Sequence, residues 1–178
     1  MARYLLGAIS ALFLLLASSA LAQSIGEKTG VNAAVGITPS TADFVKLVAI
    51  SDMFEIESSK LATQKGDAAI KAFANQMITD HTKTSADLKT LVSSGKVQAE
   101  LPMQPDQAHQ AKLEKLRSLT GADFNNQYRS DQIEAHKEAV SLFERYSKGG
   151  DNSDLKAWAA ATLPTLQGHL KMAEALKS

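Results

Sequence analysis

The chain has 178 residues, with 19 Lys plus Arg against 19 Asp plus Glu and no cysteine. A formal charge of zero without any basic run excludes a nucleic-acid partner of the usual electrostatic kind. The missing cysteine excludes disulfides, zinc–thiolate sites, iron–sulfur clusters and a lipid-modified N-terminal Cys.

Residues 1–22 read as a secretory signal. Arg3 supplies the positive start, Leu5 to Ala17 is an apolar run, and Ala20-Leu21-Ala22 is a small-x-small cleavage site. The run is shorter than the roughly 20 residues of a membrane-spanning helix. Removing 22 residues from 178 leaves 156, and the loss of Arg3 brings the net charge to −1. That length suffices for one domain with a buried core. The expected location is the periplasm or outer envelope of a bacterium, with no transmembrane segment after cleavage.

Residues 23–40 are rich in Gly, Thr and Ala without a helical period, the pattern of a flexible lead-in. The domain proper spans 41–178. Its first helix is expected from Ser40 or Thr41 to Lys65, closed by Gly66. Asp67 caps a second helix reaching about Ser93, and the Gly66-Asp67 turn makes the two an antiparallel hairpin. Gly95, Pro102 and Pro105 break the pattern between 94 and 105. A short helix follows from about Asp106 to Leu119, and Thr120-Gly-Ala-Asp123 caps a third long helix ending at Lys148. After the turn at 149–152, Ser153 caps a fourth helix that continues to the end and carries Pro164, expected to bend it. No alternating β-branched run marks a strand. Two helical hairpins joined by a long crossover containing a short extra helix predict an all-α, ferritin-like four-helix bundle. An up-down bundle in which the short helix is a fifth member is the alternative.

At 100° per residue, three long helices each place one histidine on the apolar face. His81 shares its face with Ile70, Ala74, Met77, Leu88 and Val92. His136 lies with Ile133, Val140 and Phe143, and His169 with Leu155, Trp158, Leu166 and Ala173. The first helix contributes an acid instead, since Glu55 shares the face of Phe44, Val48, Ser51, Ser58 and Ala62. A buried carboxylate is costly unless paired or bound to a cation. Glu55, His81, His136 and His169 are therefore the candidate metal ligands, with a divalent ion as the candidate cofactor. Counted from the turns, Glu55 and His81 differ in height by about 6 Å, and His136 and His169 by about 7 Å. The four are expected in one polar layer or two adjacent ones, with Asp52 and Asp131 as reserve ligands and His109 outside. The plainer alternative is three neutral core histidines bonded to carbonyl, Ser or Glu groups.

The Glu-x-x-His pairs of di-iron bundles are missing, because Ile78, Ile133 and Leu166 stand three residues before the helical histidines. Only Asp106-x-x-His109 has a comparable spacing, and Asp106 reads as a helix cap. No Gly-x-Ser-x-Gly, phosphate loop or dinucleotide fingerprint is present, so no enzyme class is legible.

The segments Ala72-Phe-Ala-Asn-Gln-Met-Ile-Thr-Asp-His81, His136-Lys-Glu-Ala-Val-Ser-Leu-Phe143 and Leu163-Pro-Thr-Leu-Gln-Gly-His-Leu170 occur in order along the chain. Through them the chain resembles, over about Thr41 to Ala175, the bacterial family called "predicted outer membrane protein", a ferritin-like domain of unknown function. The resemblance implies an exported helical bundle and carries no established activity or ligand set. The expectation is a non-catalytic periplasmic or envelope binding protein whose partner is an envelope component or a small ion. The alternative is a metal-binding ferritin-like redox or storage protein, with iron or another divalent metal.

Overall fold

Local capping chemistry sets the helix boundaries. In a computed structural model, which describes residues 25–27 and 30–176, five helices follow a single-turn helix α1 (Val31–Ala34). They are α2 (Thr41–Lys65), α3 (Ala68–Ser93), α4 (Gln107–Ser118), α5 (Gly121–Gly149) and α6 (Ser153–Ala175). The proposed signal at 1–22 lies outside the described residues.

Ser40 opens α2 by accepting from the Asp43 amide, Asp67 opens α3 by accepting from Ile70, and Asp106 opens α4 by accepting from His109. Each satisfies an amide that has no partner within its helix. Two caps differ from expectation. Thr120 makes no side-chain bond at the start of α5, and α6 is capped by Asn152, which accepts from Leu155, rather than by Ser153. Asn152 also donates to the Lys96 carbonyl at 2.8 Å, so this cap anchors the crossover as well.

Helix is the regular secondary structure of the described residues, with no strand among them. The pairs α2–α3 and α5–α6 pack as hairpins, and α2 lies against α5 while α3 lies against α6. At Gly66 a Cβ would come within 2.8 Å of the Ala62 carbonyl, so the first turn closes without room for a side chain. The crossover runs along the outside, and α4 packs on α2 and α5. Lys65 donates to the carbonyls of Leu116, Arg117 and Leu119 at 3.3, 2.5 and 3.0 Å, capping the end of α4 from the end of α2.

The interior is divided. One apolar cluster holds Phe44, Val48, Leu88, Phe143, Tyr146 and Leu155, with Phe44 stacked on Tyr146 at 4.1 Å. The other holds Ala62, Ile70, Phe73, Met77, Phe124 and Tyr128. Between them in chain register stand the buried Asp52, Glu55, His81, Gln132, His136 and His169. No helix among the described residues is long and apolar enough to cross a membrane.

The segment before α2 makes contacts that its composition does not signal. Arg145 of α5 donates to both carboxyl oxygens of Glu27, at 2.8 and 3.0 Å, and to the Ile37 carbonyl at 2.6 Å. The Arg145 and Glu27 side chains are 10% and 3% exposed. Removing one partner of a buried pair strands the other charge. Arg145→Ala is expected to lower unfolding stability by about 2–4 kcal/mol and to open the 25–37 segment to limited proteolysis. Urea unfolding and protease mapping measure the two effects.

Candidate metal centre

Three helices deliver the rings. His81 of α3, His136 of α5 and His169 of α6 form a nearly equilateral triangle, with ring centroids 5.5, 5.5 and 5.4 Å apart. One ligand nitrogen from each lies within 4.8 Å of the other two. All three side chains are buried.

Hydrogen bonding fixes which nitrogen is available. His81 donates from Nδ1 to Asp52 Oδ1 at 2.8 Å, and Asp52 also accepts from Thr84 and Ser85 at 3.3 and 3.1 Å. His136 donates from Nδ1 to the Gln132 carbonyl at 2.8 Å. His169 donates from Nε2 to Asp80 Oδ2 at 2.8 Å. The acceptor in each case is a carbonyl or carboxylate oxygen, so the proton of a neutral ring sits on the nitrogen facing it. The remaining nitrogens, His81 Nε2, His136 Nε2 and His169 Nδ1, are buried without a hydrogen-bond partner. Each is a lone pair removed from water, a state costing about 1–3 kcal/mol per group.

The arrangement fits one ion. Imidazole nitrogens about 2.0–2.1 Å from a shared tetrahedral metal, with each nitrogen about 1.1 Å from its ring centroid, put the centroids about 5.1–5.2 Å apart. The observed spacings of 5.4–5.5 Å are slightly wider than this. Outer nitrogens tied to carboxylate or backbone carbonyl are also how metal-binding histidines are held in one tautomer and orientation.

Glu55 stands outside the trio. Its Oε1 is 3.8 Å from His136 Nδ1, the nitrogen that faces away from the open lone pair. It is fully buried, and neither carboxyl oxygen has a hydrogen-bond partner. Burial pushes its pKa up, against the opposing pull of His81 and the nearby Gln132 amide. Asp131 is also buried but accepts from Gln127 at 2.8 Å and is not in the trio. Asp52 supports His81 instead of joining the converging nitrogens. His109 lies apart, bonded to Asp106 at 2.7 Å and edge-on to Phe54.

Helix-axis arithmetic sets His136 and His169 about 7 Å apart in height, yet their rings meet. Side chains tilt toward the N-terminus of their helix. On α5 that direction leads away from the 150 turn, and on α6 toward it, so the tilts cancel the offset. Sequence reasoning missed Asp80. It sits one residue before His81, about 100° around the helix, where it reads as solvated. Only the packing of α3 on α6 aims it at His169.

The rings differ electrostatically. Burial and the neighbouring His81 push His136 down to about 4. Burial likewise lowers His169, despite Asp80. For His81 burial opposes charging, but Asp52, Glu55 and Asp80 outweigh it and raise the pKa.

Fold and site together define an all-helical protein with a buried three-histidine centre. The chain belongs to the family described as Domain of unknown function (DUF4142), which matches residues 26–176. No curated protein and no solved structure matches it.

In chelator-treated protein, His136 stays neutral when folded but takes a proton once unfolded below its ordinary pKa near 6.5. It therefore contributes stability that is present above about pH 6.5 and lost as pH falls toward 4, up to about 3 kcal/mol. His169 acts in the same direction. His81, with a raised pKa, acts oppositely and loses its contribution as pH rises through its folded value. Urea unfolding across pH 4–7 should show a steeper acid loss for the wild type than for His136→Gln.

Proposed function

We propose that the protein binds one divalent transition-metal ion through His81 Nε2, His136 Nε2 and His169 Nδ1, within an exported bundle of the ferritin-like kind. The observation that carries this reading is the set of three buried, unpartnered ring nitrogens on rings spaced for a single ion. A polar core without a ligand would leave all three lone pairs unsatisfied, and buried polar groups are seldom left so. Imidazole ligands suit zinc, copper, nickel and iron, and affinity rises toward the copper and zinc end of the series. Glu55 supplies buried acidity behind His136, where it can offset the charge of an ion.

Two hairpins joined by an external crossover match the connectivity of ferritin-like bundles. The site differs from the dinuclear carboxylate kind. Asp52 and Asp80 hold outer histidine nitrogens, and Glu55 lies behind His136, so no pair of carboxylates is placed to bridge two ions. This favours binding or storage of one ion over di-iron oxidation.

Metal added to chelated protein is expected to raise the melting temperature, since an ion bound only by the native state stabilises it by about 2.7 kcal/mol at a hundredfold excess over Kd. With Zn(II), calorimetry should show this gain in wild type and His109→Ala and its loss in His81→Ala and His136→Ala. A wild type unmoved by zinc, copper(II) or cobalt(II) would return the cluster to a metal-free polar core. Export to the periplasm rests on Arg3, the apolar run and Ala20-Leu21-Ala22. N-terminal sequencing of protein from the periplasmic fraction should begin at Gln23 or Ser24.

A further inference from the structure

Resting on that metal reading, we propose that the ion keeps one coordination position open to a small anionic donor ligand, admitted through the groove between α3 and α6. A cavity of about 380 Å³ lies between these helices, with His81 and His169 among its lining residues, while His81 Nε2 and His169 Nδ1 themselves stay buried behind its wall. Its walls also carry Thr84, Thr162 and Thr165. Neither His136 nor Glu55 lines it, whereas Asp80, Lys83 and Asp87 do.

Two features favour a ligand from outside over a fourth protein ligand. Structural sites of this metal class are closed by four side chains, whereas three protein ligands with an open position mark a site that exchanges a small molecule. Of the nearby carboxylates, Asp52 accepts from His81 and Asp80 Oδ2 accepts from both His169 and Gln76, while Glu55, which has no hydrogen-bond partner, lies behind His136 on the side of its Nδ1. Three neutral imidazoles also leave both positive charges of the ion uncompensated within its own coordination shell. An anion with one donor lone pair, of the size of hydroxide, azide or a short carboxylate, meets that need. The cavity is many times the roughly 30 Å³ share of one water, so such a ligand fits with its hydration.

The local sequence supports the opening. Pro164 lies inside α6 and has no amide to give the Ala160 carbonyl. The residues around it, Thr162 and Thr165, form one wall of the groove.

Cobalt(II) serves as the probe metal, because its visible bands report coordination number and ligand set. Wild type, Thr165→Trp and Met103→Trp are each loaded with cobalt(II) before azide is added. Thr165 is exposed at the groove, so a tryptophan there covers the mouth without entering the core, and the exposed Met103 lies in the crossover as a control. Azide should shift the bands saturably in wild type and Met103→Trp, and bind at least tenfold more weakly to Thr165→Trp. Bands unmoved by azide in the wild type would mean that the protein fills the fourth position, by Glu55 for example, and would overturn the proposal. An equal response in wild type and Thr165→Trp would overturn the groove as the route. Absence of any His81-dependent cobalt band removes the metal reading itself, and this inference with it, which sets that failure apart from the other two.

Discussion

Three imidazole rings held at the centre of a helical bundle, each tied by its outer nitrogen, impose the main constraint on this molecule. A ring can be buried there only if one nitrogen has an acceptor and the other has something to bind. Asp52, the Gln132 carbonyl and Asp80 meet the first need from α2, α5 and α3. Because these partners come from different helices, the relative rotation and height of the helices are set by the polar layer as much as by apolar packing. The apolar clusters flank the layer on either side, and the inner nitrogens are left without a protein hydrogen-bond partner.

The rest of the architecture holds this layer in register. Side-chain caps by Ser40, Asp67 and Asn152 fix where three of the long helices begin. Lys65 joins the ends of α2 and α4, and Arg145 fastens the segment before α2 to α5. These contacts lie away from the site, yet a shift of one residue in α3, α5 or α6 would turn a histidine about 100° away from its partners.

The site chemistry follows from which atoms are used up. The Asp52 and Asp80 carboxylates serve as acceptors for histidine N–H groups and so orient the rings. Glu55 supplies acidity from behind His136. Glu55 lies buried beside His136, and the groove on the α3 and α6 side carries Asp80, Lys83 and Asp87 among mostly apolar walls.

Much of this was legible in the chain itself. Periodicity and capping residues placed α2, α3 and α4 within a residue or so of their observed ends, because caps and apolar stripes act over one or two helical turns. The inward position of His81, His136, His169 and Glu55 was equally local, being a matter of angle around each helix. The tertiary structure decided which of them meet. It put the three rings in one triangle and Glu55 behind it, because side-chain tilt and hairpin packing act between helices and leave no mark in a single helical period. Asp80 as the partner of His169, Glu27 as the partner of Arg145 and the groove beside the histidines were settled there too. Each depends on residues far apart in the chain arriving at one place.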